Sequence, residues 1–342
     1  MRVVILSGGA GTRLWPLSTP ARPKPLLRVL AKPDGGKESM LERVCRQLAA
    51  AGIPRDHISI VSGREQADEI RLQAGPAADL IGEPQRRNTF PAAALAAAYL
   101  YEKKQVPAEE PVIVIPSDVY AEDGYFDTLT RMAQLCLEDA APLILMGIRP
   151  DRPSGEFGYI VPEQPSGGAG NSVPAGEKAS GPVSGRPLKV SRFVEKPSAA
   201  EAAELISRGA LWNAGVFAFR LGWMLGILSE HTARTSFEAL TDHYDRLENI
   251  SFDRAVVEKT SDIAAVPYEG MWKDLGTWES LSSVMGGSLA GLVDASASCD
   301  DLVIINELPV PIKVEGISDV IICASPEGIL IKKKSSDASE AD

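Results

Sequence analysis

Four apolar residues near the start of the chain, Val3-Val4-Ile5-Leu6, run directly into Ser7-Gly8-Gly9-Ala10-Gly11-Thr12-Arg13-Leu14. An unbroken apolar run of this length reads as a strand buried on both faces, which requires helices packed above and below its sheet. The glycines that follow lack a Cβ, so successive backbone N–H groups can converge on an anion. Arg13, and Lys24 in Arg22-Pro23-Lys24-Pro25, bring full positive charge to the same region. The chain therefore calls for an α/β fold that holds a phosphorylated ligand beyond the carboxyl end of its first strand.

The loop is neither of the two common nucleotide turns. A P-loop needs Lys-Ser or Lys-Thr at the end of G-x-x-x-x-G, and none follows Gly11. A dinucleotide fingerprint needs G-x-G-x-x-G, but the third position after Gly9 and Gly11 is Leu14. A purely structural turn has no need of the two cations.

The net charge of −11 over 342 residues argues against nucleic-acid or anionic-membrane partners. Cations gathered at one turn work against that overall field. Cys45, Cys136, Cys299 and Cys323 are widely spaced, with no zinc-like pattern. That usage, with no signal-peptide core and no membrane-length apolar run, predicts a cytoplasmic protein.

Strand and helix signals alternate through the first part: strands at 3–6, 58–61 and 111–115, and helices at 39–51, 90–104 and 125–136. This predicts a mixed, mostly parallel sheet covered on both faces. Strands at 143–148, 159–161, 190–194 and 216–219 come with fewer helices and suggest an antiparallel, substrate-facing layer. Residues 164–187, rich in Gly, Pro and Ser, read as a loop insertion in a catalytic domain spanning 1–285. Short, evenly spaced strand signals over 286–334 predict a small β appendage, with a disordered acidic tail at 335–342.

Asp118 follows the strand Val114-Ile115-Pro116, and Asp274 sits in Trp272-Lys273-Asp274-Leu275-Gly276-Thr277-Trp278. Two carboxylates meeting in one cleft would suit Mg²⁺, which takes one or two protein carboxylates and completes its shell with water and phosphate oxygens. Each is as readily a turn or capping aspartate. Lys196, in Glu195-Lys196-Pro197, follows another strand and is a candidate for a second phosphate. Asn213, in Trp212-Asn213-Ala214-Gly215-Val216-Phe217, can donate and accept to sugar hydroxyls. Gly158-Tyr159, in Gly155-Glu156-Phe157-Gly158-Tyr159, offers a backbone-lined patch.

The ordered segments GGAGTRLWPLS, RPKPLL, GEPQRRNTFPAAALAA, PSD, GEFGYI, FVEKP, WNAGVF and WKDLGTW together resemble the sugar-1-phosphate nucleotidylyltransferases, most closely the bacterial mannose-1-phosphate guanylyltransferases. The resemblance covers residues 3 to about 280. It implies a Rossmann-like, GT-A-like catalytic domain with a C-terminal segment resembling a short left-handed β-helix. It also implies GTP and mannose 1-phosphate as substrates, Mg²⁺ as cofactor and a homodimer. Arg13, Lys24, Asp118 and Asp274 would be catalytic, the two aspartates holding the metal. Leu6, Ser7, Gly8, Gly9, Gly11, Thr12, Glu83, Arg87, Asn88 and Thr89 would bind nucleotide. Gly158, Tyr159, Glu195, Lys196, Asn213 and Gly215 would bind the sugar phosphate. The chain departs from the family where Asp118 is followed by Val119-Tyr120 in place of Asp-His, and where Pro25-Leu26 follows the leaving-group lysine.

Guanine presents N1–H and N2–H side by side, and the acceptor-only carboxylate of Glu83 can take both. A uracil or thymine site would more naturally use an amide. The competing readings are UTP or dTTP with glucose 1-phosphate, GTP with a heptose 1-phosphate, and a non-catalytic nucleotide-sugar sensor.

Overall fold

The computed structural model describes residues 1–9, 12–76, 78–163, 187–285 and 289–334, the side chain of Thr12 excepted. Gly11, the side chain of Thr12, the 335–342 tail and the predicted insertion apart from Pro187 lie outside the described residues.

Nine strands form one sheet. Its order is Asp79–Glu83, Ile58–Gly63, Arg2–Leu6, Pro111–Pro116, Leu211–Arg220, Leu143–Ile148, Ile263–Tyr268, Leu188–Val194 and Tyr159–Pro162. The first four run parallel. Leu211–Arg220 is antiparallel to both neighbours, and Leu188–Val194 is antiparallel to its own two. The sheet is thus mixed: its first four strands run parallel, and beyond Leu211–Arg220 the strands Leu143–Ile148 and Ile263–Tyr268 form one further parallel pair. The predicted antiparallel layer is not a separate layer, because Leu211–Arg220 inserts between Pro111–Pro116 and Leu143–Ile148 and joins both halves edge to edge.

The opening strand explains the three layers. Val3 and Ile5 face one core, shared with helices Met40–Ala50 and Asp123–Leu137, while Val4 faces another beside helix Thr89–Glu102. All three side chains are fully buried, each contributing roughly 1.5–3 kcal/mol. Ser39 starts the first helix in a capping box with Glu42. Pro91 lies in the first turn of Thr89–Glu102, where its missing N–H leaves no hydrogen bond unmade. Helix Ala67–Ala74, strand Asp79–Glu83 and the helical excursion from Leu221 to Lys259 were not anticipated, being short or lacking a clean period.

A two-stranded ribbon stands apart from the sheet. Trp272, Lys273 and Asp274 pair antiparallel with Ala121, Tyr120 and Val119. At the C-terminus, Leu289–Ala290, Asp300–Asn306 and Ser318–Ser325 stack in parallel and Gly328–Lys333 closes antiparallel; Val293–Ala295 and Ile312–Val314 form a second parallel pair. This appendage is not free-standing. Val303, Ile305, Ile321 and Cys323 share a core with Leu14, Leu17, Leu27, Leu30 and Trp278. Ser325 Oγ donates to Pro16 O at 2.8 Å, and Arg22 pairs with Glu307 at 2.8 Å.

Candidate active site

The glycine turn leaves the sheet beside two other strand ends. Ser7 N donates to Val61 O at 2.8 Å, and Ser117 N donates to Leu6 O at 3.1 Å. The backbone of residues 6–9 therefore lies between the ends of two parallel neighbours, the usual ligand crevice of such sheets. Ser7 is buried and its Oγ has no hydrogen-bond partner. A buried orphan hydroxyl beside a glycine turn is costly unless a ligand satisfies it.

Lys24 links the catalytic candidates. It opens the short 3₁₀ turn Lys24–Leu26, whose Pro25 and Leu26 are also buried. Its side chain is 7% exposed, and its Nζ forms an ion pair with Asp118 and lies 3.5 Å from Asp274 Oδ1. Two aspartates distant in sequence meet because the Val119–Ala121 and Trp272–Asp274 ribbon sets Asp274 opposite Val119, next to Asp118. Burial pushes the Asp118 carboxyl up, but the Lys24 ammonium outweighs it and holds it below the ordinary value. Burial and the Asp118 charge leave Asp274 above its ordinary value. Burial pulls Lys24 down, yet the two carboxylates carry it above the usual lysine value. The three groups titrate as one set.

The same pair fits a divalent cation. Two carboxylates converge at a strand end, and Asp274 Oδ1 is buried without a hydrogen bond. Among the described residues no cluster of three or more His, Cys, Asp or Glu could hold a metal. Mg²⁺ takes one or two protein carboxylates and leaves the rest of its shell to water and phosphate, a demand that two converging aspartates can meet.

Asp274 also lines a cleft of about 690 Å³ with Arg13, Arg152, Phe157, Lys196 and Trp212. Gly276 makes room for Arg13: a Cβ there would stand 2.9 Å from Arg13 Nη2. Lys196 is exposed, with its Nζ 3.9 Å from Glu195 Oε1. Asn213 is aimed by a β-bulge, because the strand register shifts between Asn213 and Phe217 and Gly215 adopts φ +68°. Its Nδ2 donates to Asp253 Oδ1 at 2.6 Å and its Oδ1 accepts from Gly215 N at 3.1 Å. Burial, then the Glu195 charge, raises Asp253 to about 6. Gly158 lies against Glu195, with room for no side chain: a Cβ would meet Glu195 Oε2 at 2.8 Å.

Glu83 lies beneath the glycine turn. It is 2% exposed, Tyr244 OH donates to its Oε1 at 2.6 Å, and a Cβ on Gly8 would meet its Oε2 at 2.8 Å. Burial raises its carboxyl to about 7, against the lowering effect of the Tyr244 hydrogen bond. The folded value lies above the unfolded one, so the stability contributed by the protonated acid is complete below about pH 4.5 and lost as pH rises through about 7. Glu83→Gln removes this titration. It should match the parent at about pH 4 and exceed it by roughly 3 kcal/mol at about pH 8, as read from urea midpoints.

Four predicted ligand residues direct their side chains to partners within the fold. Arg87 donates to the carbonyls of Leu247 and Asp245, the latter at 2.5 Å, so its guanidinium ties two segments together. Asn88 caps helix Thr89–Glu102, and Thr89 Oγ1 accepts from Phe252 N at 2.8 Å. Tyr159 is fully buried; its hydroxyl accepts from Trp212 Nε1 at 2.9 Å and bonds Ser154 N and O. The side chains of Arg87, Thr89 and Tyr159 find partners 5 to 163 residues away, which residue order does not display, whereas Asn88 is held by the adjacent Thr89 N. Asp253 and Tyr244 were missed for the converse reason. One looks like an ordinary first-turn helix acid, the other like a lone core aromatic.

The nucleotidyl transferase family model matches residues 2–289. The chain belongs to that family. It is 30% identical to the alginate biosynthesis protein AlgA of Pseudomonas aeruginosa, over 97% of this chain and 69% of that protein. It is 33% identical to the xanthan biosynthesis protein XanB of Xanthomonas campestris pv. campestris, over 82% of this chain and 58% of that one. An Escherichia coli K12 protein named mannose-1-phosphate guanylyltransferase is 29% identical over 85% of this chain and 61% of its own length. The chain thus spans between about half and two-thirds of these relatives. A Thermus thermophilus crystal structure, described as a mannose-1-phosphate geranyltransferase, superposes with a TM-score of 0.74 at 28% identity, covering 97% of this chain and 94% of that one. No helix among the described residues is long and apolar enough to cross a membrane.

Proposed function

We propose that this protein transfers GMP from GTP to mannose 1-phosphate, releasing pyrophosphate and forming GDP-mannose. The observation that carries this reading is the meeting of Lys24, Asp118 and Asp274, with Asp274 also on the wall of a cleft shared by Arg13 and Lys196. Two cations on the wall of one cleft suit two phosphorylated substrates, and the names of the relatives supply the sugar and the base. The short parallel strands of the C-terminal unit support reading it as a β-helix-like cap on the loop that carries Lys24.

In the reaction a phosphate oxygen of mannose 1-phosphate attacks the α-phosphorus of GTP, and the bond to the β-phosphate bridging oxygen breaks in line. Little covalent work falls to the protein, so orientation and charge neutralisation dominate. The Gly8-Gly9 backbone and Arg13 hold the triphosphate, and Lys24 neutralises the charge that builds on the leaving pyrophosphate. Lys196, on the wall of the same cleft, holds the incoming phosphate. Asn213, kept in place by Asp253, and Glu195 face the sugar hydroxyls. Asp118 and Asp274 would hold Mg²⁺, which when bound offsets phosphate charge at the reacting centre.

Pyrophosphate release measured across GTP, UTP and dTTP, each with mannose, glucose and heptose 1-phosphates, tests the assignment. GTP with mannose 1-phosphate should turn over fastest. Faster turnover of a pyrimidine nucleotide with glucose 1-phosphate would overturn it. So would tight binding of GDP-mannose with no pyrophosphate released from any pair.

A further inference from the structure

Glu83 and its partner arrive from opposite ends of the catalytic domain. Glu83 ends the edge strand Asp79–Glu83, whereas Tyr244 opens a short 3₁₀ turn in the helical excursion. Their contact is one of several that join the same two segments. Arg87 grips the carbonyls of Asp245 and Leu247, Asn88 N donates to Asn249 Oδ1 at 2.9 Å, and Phe252 N donates to Thr89 Oγ1 at 2.8 Å. Both partners are 2% exposed. Residues 85–89 therefore serve as a clamp that delivers a phenol hydroxyl to one carboxylate, against the glycine turn.

We propose that Tyr244 is a positioning residue for base recognition, its hydroxyl holding the Glu83 carboxyl in the orientation, and favouring the acceptor-only form, that reads the purine edge. This inference rests on the reading of Glu83 as the base-selecting group. An ionised carboxylate offers about four lone-pair sites, of which Tyr244 takes one, on Oε1. The Arg87 backbone N–H takes another, and Oε2 lies on the side where Gly8 leaves no Cβ in the way. Without the hydroxyl the only hydrogen bond opposing rotation of the buried carboxyl or its uptake of a proton is that from the Arg87 backbone. A protonated acid would set an O–H donor against the N–H donors of guanine.

The other charged groups facing Glu83 do not substitute for the phenol. Glu65 opposes its ionisation, and Arg86, which favours it, donates to Glu65 at 3.0 Å and to Pro20 O at 2.7 Å. The Arg87 backbone adds one hydrogen bond, while its guanidinium is taken up by the clamp. Burial meanwhile holds the acid near 7, so losing one donor shifts its ionisation within the neutral range.

Equilibrium binding of GTP, with UTP as control, measured on the full chain from pH 6.5 to 8.5 tests this. Tyr244→Phe keeps the ring and removes only the hydroxyl. Its GTP Kd should rise at least about tenfold at pH 7, the size expected for a hydrogen bond to a charged group. The loss should shrink toward pH 8.5 as Glu83 ionises again, with UTP binding unmoved. A parental Kd and pH profile for GTP would overturn the proposal. Glu83→Gln separates the two readings. If it leaves the preference for GTP over UTP intact, Glu83 does not read the base and both fall; if it changes that preference while Tyr244→Phe changes nothing, only the role of Tyr244 falls. In the Glu83→Gln background Tyr244→Phe should have no further effect on GTP binding. That cycle remains decisive if the phenylalanine variant is itself less stable. An equal further loss in the glutamine background would overturn the proposal, because it would show a merely structural hydroxyl.

Discussion

Lys24→Met should lower the turnover of pyrophosphate release at least about 100-fold, the scale of losing a charge-assisted contact made to a developing anion. Methionine is close in length and apolar, so it fills the 7%-exposed slot without opening a cavity. What it removes is the one described ammonium that ion-pairs with both Asp118 and Asp274, leaving Arg13 as a weaker counter-charge to the two. With the ammonium gone, two carboxylates face one another, and the variant should also lose stability, by up to about 3 kcal/mol. That figure lies at the low end for breaking a buried pair, since the carboxylates are 34% and 37% exposed. Turnover measured well below the melting temperature separates the two effects. A variant that melts early yet retains parental turnover would show Lys24 to be a structural counter-ion.

Asp274→Asn should have the opposite balance of effects. Burial and the neighbouring Asp118 charge already resist ionisation of Asp274, so a neutral amide of the same shape relieves repulsion. Lys24 is then left to pair with Asp118 alone. At neutral pH the variant should be as stable as the parent or more so, as expected where a site is held at the expense of the fold. Turnover should nevertheless fall roughly 100-fold, and half-activation should need a higher Mg²⁺ concentration, because one of two protein ligands is gone. Titrating Mg²⁺ against pyrophosphate release, beside a thermal melt in chelator, reads both effects. Unchanged Mg²⁺ dependence would remove Asp274 from the metal site.

Where the physics is local, the sequence reading agrees with the structure. The strand Val3–Leu6, the capped helix behind Ser39 and the proline-started helix at Phe90 follow from apolar runs and capping chemistry that act over a few residues. The strand 143–148 matches to the residue. The two part where a polar side chain has two possible destinations. Arg87 and Tyr159 could as well have faced a ligand as a distant carbonyl or indole, and no local rule distinguishes these outcomes. Sheet direction escapes the sequence for a similar reason, because the place of Leu211–Arg220 between two distant strands is set by long-range pairing.

From the sequence alone came a buried first strand, a glycine turn unlike either common nucleotide loop, and the charges to answer phosphate. These depend on residue type and near neighbours, which one-dimensional order carries. The tertiary structure decided which charges meet. A three-residue ribbon sets Asp274 beside Asp118, a buried turn aims Lys24 at both, and a clamp across 158 to 163 residues brings Tyr244 to Glu83. Such meetings depend on chain closure over long separations, which the core enforces and which residue order by itself does not display.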